Sequence, residues 1–196
     1  SSSERAYVAI SGDGRFIVAG SATDDEIQLY DYETGETGPL WDDDLGEGIV
    51  AVAISKDGKY FVAGTETKLK FYRTNYSTDT DDAEPQLLWT HSWGAAVKDI
   101  VISHDGSYVA AYTSSYAKMF NRSSSGPIWI ITGTFDSIDI SADGQYIAIG
   151  ARDSNTPTVK LYHRESTTPL WKYQTDRGSS YGIGSITISR DGNYVG

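Results

Sequence analysis

A chain of 196 residues with 39% hydrophobic and 12% aromatic content has the apolar material for a folded core, which excludes disorder as its global state. Its 27 acidic residues outnumber 16 basic ones for a formal charge of −11, and the cations are scattered, so a phosphate backbone would be repelled and nucleic-acid binding is not expected. No apolar stretch approaches the roughly 18 to 20 residues of a membrane-spanning helix, and the lack of cysteine removes disulfides, thiolate metal sites and thiol nucleophiles. The only methionine is Met119 and the chain opens Ser1-Ser2-Ser3, from which we expect an upstream segment, either a cleaved signal peptide or an excised domain.

In chain order, the first predicted strand, Tyr7 to Ser11, places Val8 and Ile10 on one face and Ala9 between them. It runs into Ser11-Gly12-Asp13-Gly14, a hairpin signal, and then into a second strand that opens on Phe16 and ends near Gly20. A third strand, Ile27 to Tyr30, reads apolar, polar, apolar, aromatic. A short fourth strand carries Pro39-Leu40-Trp41, and proline is tolerated at a sheet edge, where a missing N–H costs no ladder bond.

This unit then repeats. Ser-x-Asp-Gly occurs five times, with its aspartates at Asp13, Asp57, Asp105, Asp143 and Asp191 and spacings of 44, 48, 38 and 48 residues. Each copy is followed by an aromatic: Phe16, Tyr60, Tyr108, Tyr146 or Tyr194. The third-strand quartet returns at Leu69 to Tyr72, Ala117 to Phe120 and Val159 to Tyr162, and the tryptophan at Trp89, Trp129 and Trp171. No segment predicts a helix. Four short strands per roughly 40 to 45 residues, repeated, is the pattern of a propeller blade.

On these residues the sequence resembles the superfamily of WD-repeat-like, YVTN-type and pyrroloquinoline-quinone-type β-propellers. Asp31-Tyr32-Glu33-Thr34-Gly35 leading to Leu40-Trp41 is similar to the Asp-x-x-Thr-Gly…Leu-Trp signature of quinoprotein blades, and the Ser-x-Asp-Gly-x-Tyr hairpin is similar to that of bacterial and archaeal WD-like propellers. The expected fold is therefore all-β, a β-propeller of four-stranded antiparallel blades with four full repeats and a partial fifth. The expected repeats are 5–45, 49–93, 97–132, 135–175 and the partial 183–196, within one domain of 1–196. The resemblance implies a segment of a larger propeller or one completed by another chain; a five-bladed form with a deficient last blade is the other possibility.

Candidate sites are weighed against geometry. Five copies of the turn aspartate point to a repeated structural role, since a catalytic residue is needed once. The tryptophans Trp41, Trp89, Trp129 and Trp171 share one repeat position, which points to packing between blades; Trp93, off that register, is the tryptophan most expected to face solvent. Asp42-Asp43-Asp44 and the run Asp79, Asp81, Asp82, Glu84 are acidic clusters. The second is a weak candidate for a hard cation such as Ca²⁺, without the glycine and distal glutamate of an EF-hand loop. His91, His104 and His163 fall at unrelated repeat positions and make no zinc pattern.

The quinoprotein resemblance implies a Ca²⁺-bound quinone and a catalytic aspartate, yet no blade departs from its siblings by an added acidic or basic cluster, and no cofactor is expected. Two sequons, Asn75-Tyr76-Ser77 and Asn121-Arg122-Ser123, lie after third strands and are glycosylation candidates. With the acidity, they point to an extracellular or cell-surface protein similar to archaeal surface-layer and envelope propellers. The expectation is a non-catalytic structural or protein-interaction module, contacting protein partners or copies of itself through blade edges and rim loops: Thr34 to Gly38, Asn75 to Glu84, Asn121 to Gly126 and Ser154 to Pro157. The alternatives are the propeller domain of a quinone-dependent dehydrogenase or a peptidase, and an intracellular WD-like scaffold.

Overall fold

A computed structural model of the chain describes residues 5–35, 37–75, 84–154, 156–175 and 182–196. They form two compact units, residues 1–98 and 99–196. The first unit holds a sheet of β1 (Ala6–Ile10), β2 (Phe16–Ser21), β3 (Glu26–Asp31) and β4 (Trp41–Asp44), and a sheet of β5 (Ile49–Ile54), β6 (Tyr60–Thr65), β7 (Lys68–Arg73) and β8 (Gln86–Ser92). The second unit holds a sheet of β9 (Asp99–Ile102), β10 (Tyr108–Tyr112), β11 (Tyr116–Asn121) and β12 (Trp129–Thr132), and a sheet of β13 (Thr134–Ile140), β14 (Tyr146–Asp153), β15 (Thr156–His163) and β16 (Trp171–Gln174). Each sheet is an antiparallel meander with its strands in sequence order, so the tryptophan strand is an outer edge in all four. These are the four blades of a β-propeller fold, with the residues after Ile183 forming the start of a fifth repeat.

Three details differ from the strand expectations. The fourth strand begins at the tryptophan itself in three blades, because the residue before it already bonds the third strand: Leu40 N–H donates to the Leu29 carbonyl at 2.7 Å, Ile128 to Met119 at 2.6 Å and Leu170 to Leu161 at 2.7 Å. Tyr32–Thr34 forms one 3₁₀ turn, capped by the Asp31 carboxylate accepting the Glu33 N–H and closed by Gly35 at φ 69°. The fifth hairpin is reduced to a single bridge, Ile188 opposite Val195.

The repeated turn explains why Ser, Asp and Gly recur together. In the second blade, Ser55 Oγ donates to the Asp57 carboxylate at 2.6 Å and accepts the Tyr60 N–H at 3.0 Å, while Asp57 accepts the Lys59 N–H at 3.1 Å. Gly58 N–H donates back to the Ser55 carbonyl at 3.0 Å, with φ at 68°. The same bonds recur in all five copies, so the serine and aspartate satisfy the backbone N–H groups that the tight turn leaves without ladder partners.

The turns also join neighbours. Within each unit the residue after the serine bonds its counterpart in the following repeat: Gly12 N–H donates to the Lys56 carbonyl at 2.8 Å, His104 to Ala142 at 2.9 Å, and Ala142 to Arg190 at 2.9 Å. The turn glycine lies under the aromatic that opens the preceding blade's second strand. A β-carbon on Gly58 would meet Phe16 at 2.7 Å, and one on Gly144 would meet Tyr108 at 2.6 Å. Glycine is thus required there twice over, for its positive φ and for the ring above it.

Between the sheets, alternate residues of the strands supply the core. In the first unit Val18, Ile27 and Leu29 of one blade meet Ile49, Ile54 and Phe61 of the next. In the second, Met119 and Trp129 meet Ile138, Ile147 and Tyr162. The inward face expected for β1 is different: Val8 and Ile10 are 64% and 58% exposed, whereas Ile54, Ile138 and Ile140 at matching positions are buried. Among the described residues, no strand covers them.

The turn makes a measurable claim. Ser55→Ala removes a fully buried hydroxyl and leaves the Tyr60 N–H unpaired, at a cost of about 1–3 kcal/mol. Gly144→Ala combines a left-handed φ with a collision against Tyr108 and should cost more than the ~1 kcal/mol of backbone strain alone. Urea denaturation of the two variants measures both losses.

Candidate functional site

The turn aspartates face their own loops. Hydrogen bonds from Ser11 and then the Arg15 N–H hold the Asp13 carboxyl below the usual carboxylate range, and those from Ser189 and Asn193 do the same for Asp191. Each is spent on local backbone and hydroxyl donors, which leaves its oxygens little capacity for chemistry on a bound molecule.

Other acids are committed in different ways. The Glu47 carboxylate is paired with the Lys68 ammonium, and it also accepts from Thr65 Oγ1 at 2.6 Å and Thr67 Oγ1 at 2.7 Å. The lysine, then the threonines, pull its pKa down to about 2. The fully buried Asp31 carboxylate receives the Arg15 guanidinium at 2.9–3.1 Å, which ties the first hairpin turn to the end of β3. Asp136 accepts from Arg152 Nε at 3.2 Å and from the Ile183 N–H at 3.1 Å, so it clasps the fifth repeat onto the fourth blade. Asp99 and Asp139 are the two carboxyls raised above the usual range, in both cases chiefly by burial; Asp139 accepts the Ile188 N–H at 2.7 Å, a second clasp.

The acidic run of β4 does not come together as a site. Asp42, Asp43 and Asp44 lie within β4, with Asp42 and Asp44 exposed and Asp43 half-buried, so the pleat sends them to alternate faces. Of the calcium candidates, Asp79, Asp81 and Asp82 lie outside the described residues; Glu84 is described, and its backbone carbonyl accepts from Asn75 Nδ2 at 3.3 Å. Among the described residues, no group of three or more His, Asp or Glu side chains is placed to hold a metal ion. The sequon residues lie at loop starts: Asn75 at φ 52°, and Asn121 with its Oδ1 accepting the Ser123 N–H at 3.0 Å and hydroxyl at 2.8 Å.

The four equivalent tryptophans have four environments. Trp41 packs its ring against Phe61 at 6.0 Å and Tyr72 at 5.7 Å, both on the next blade. Trp129 packs against Tyr162 of the next blade at 6.2 Å and is buried. Trp89 stacks on Phe71 within its own sheet at 5.1 Å. Trp171 is 41% exposed, contrary to the packing role expected of it, because no third strand lies beside it among the described residues. Trp93 differs in the other direction. It is buried; its backbone N–H donates to the Thr67 carbonyl at 2.7 Å, and its ring lies edge-on to His91 at 5.7 Å.

Around Trp171 opens a cleft of about 400 Å³, lined by Val159, Trp171 and Tyr173 of the fourth blade and by Ile183, Ile186 and Val195 of the fifth repeat. Repeat counting alone does not locate it.

An all-β chain of four-stranded repeats with these turns and tryptophan contacts has a β-propeller fold. Among solved structures, it is similar to Kuenenia stuttgartiensis hydrazine synthase, with a TM-score of 0.72 at 14% identity over 96% of this chain and 53% of that one. The chain therefore spans about half the length of that neighbour, and at this identity the likeness concerns the fold alone. No family model matches, and no curated protein matches.

Glu47 gives a pH prediction. Its pKa is lowered on folding, so the stability it contributes is fully present above about pH 4.5 and is lost as the pH falls towards 2. Glu47→Gln should lower stability at neutral pH and flatten that part of the acid limb, as measured by denaturant midpoints at pH 7, 4 and 3.

Proposed function

We propose that this chain is a non-catalytic β-propeller module that works as a structural or protein-interaction unit of an extracellular or cell-surface protein. The observation that carries the reading is that the repeated carboxylates are consumed in the turns that hold the blades, while exposed apolar side chains gather on two strands, Val8 and Ile10 on β1 and Trp171 and Tyr173 on β16. Apolar exposed surface next to rigid sheets suits protein contacts. The acidic charge and the sequons at Asn75 and Asn121 support the surface location.

A second reading makes the chain the propeller part of a larger enzyme, such as a quinone-dependent dehydrogenase or a peptidase, and it draws on the resemblance of the Asp31 to Trp41 segment and on the enzyme name of the structural neighbour. Adding quinone and Ca²⁺ separates the two: the module reading expects no new absorbance band and no dehydrogenase activity. For the surface location, intact-mass spectrometry of protein from its native source should show hexose-containing additions that disappear in Asn121→Gln and Asn75→Gln. Unmodified asparagines on a cytosolic protein would refute it.

A further inference from the structure

We propose that the outer half of the fourth blade, on the face turned towards the third blade, binds a carboxylate group between the Lys172 and Lys160 ammonium groups and the Gln174 side-chain amide. This goes beyond the module reading and does not depend on it.

Strand register creates the site. Lys160 of β15 lies directly opposite Lys172 of β16, and Thr158 opposite Gln174. Just beyond them the Thr175 N–H donates to the Pro157 carbonyl at 3.0 Å. Hydrogen-bonded and non-bonded pairs alternate in an antiparallel ladder, so both pairs are of the non-bonded kind, where facing side chains come closest. Like charges at such a position destabilise a sheet. The other three blades avoid it: their matching pairs are Gln28 with Asp42, Lys70 with Thr90 and Lys118 with Ile130.

One carboxylate serves both lysines. Asp153 Oδ1 accepts from Lys160 Nζ at 2.5 Å, with the lysine side chain 16% exposed. Among the described residues Lys172 has no ion pair. Two ammonium groups against one carboxylate leave a local positive charge, in a chain whose formal charge is −11.

Asp153, Thr158, Lys172 and Gln174 line a cavity of about 60 Å³. At roughly 30 Å³ per water molecule, that is the room of about two waters, which suits a carboxylate group. The buried Thr158 hydroxyl donates to the Thr156 carbonyl at 3.0 Å, so the protons offered to an anion come from the lysines and the Gln174 amide. The pleat puts Lys172 and Gln174 on the face opposite Trp171 and Tyr173. Register carries that face inward to Ile149 and Ala151, which are buried with Trp129 of the third blade. An apolar neighbourhood on one side strengthens charge-assisted hydrogen bonds on the other.

The test is a titration of the full ¹⁵N-labelled chain, followed by the Gln174 side-chain and Lys172 backbone amide resonances. Sodium acetate replaces sodium chloride at constant ionic strength, and a blocked glutamate tripeptide, with its glutamine counterpart as control, forms the second arm. Saturable shifts with acetate are expected. Tighter binding of the glutamate peptide than of acetate assigns the group to an acidic side chain of another protein, and the reverse order assigns it to a free acid; both support the site. Lys172→Gln should weaken binding about tenfold or more, while Lys172→Arg, which keeps the charge, should hold it within about threefold. Lys56→Gln, at an exposed lysine of the first unit, should leave it unchanged. Thermal melts establish that each variant is folded. Shifts that never saturate, equal affinity in Lys172→Gln, or the same shifts on raising chloride alone would overturn the proposal. None of these outcomes bears on localisation or quinone chemistry, so failure here is distinguishable from failure of the module reading.

Discussion

The bond on which the rest of the structure depends is the one between the turn serine and its aspartate. Without it the tight turn would leave the N–H groups of the following two residues unsatisfied near the core, and the first hairpin of each blade would lose its corner. With it, the turn is rigid enough to offer the intervening residue's N–H and carbonyl to neighbouring repeats. Gly12 reaches Lys56, and His104 reaches Ala142, which in turn reaches Arg190. One short motif therefore closes each hairpin and joins successive repeats within a unit. Its residues vary little because each atom has a partner.

Packing between blades follows from that attachment. Between the sheets, Phe16 and Tyr108 cover the following turn glycines, and Trp41 with Tyr72, and Trp129 with Tyr162, bring rings of successive blades together. The constraint falls on a few positions per repeat. That accounts for a TM-score of 0.72 over 96% of this chain at only 14% identity.

Much of this was legible in the sequence, for a physical reason. The turn motif, the alternating strands and the aromatic after each turn are local patterns, and each has one low-energy solution, so the four blades and their edge strands could be read from residue types. What escaped depends on neighbours. Trp93 looks like a loop residue by position, but β8 runs on to Ser92, a backbone bond to Thr67 fixes the chain just beyond it, and the ring is buried edge-on to His91. The acids of β4 look like a cluster along the chain, yet the pleat separates them. Arg15 with Asp31, and Arg152 with Asp136, join residues 16 positions apart, and no short motif announces them.

The tryptophan position shows the same dependence most directly. Trp41, Trp129 and Trp171 follow the same dipeptide type, begin the same strand and bond through the same preceding amide. Their own sequence cannot distinguish them, and yet one is buried and another is 41% exposed. The difference is made wholly by whether a third strand with a tyrosine stands alongside. In a repeat protein, then, the burial of a repeated residue is set by what the neighbouring repeat contributes and not by its own local sequence.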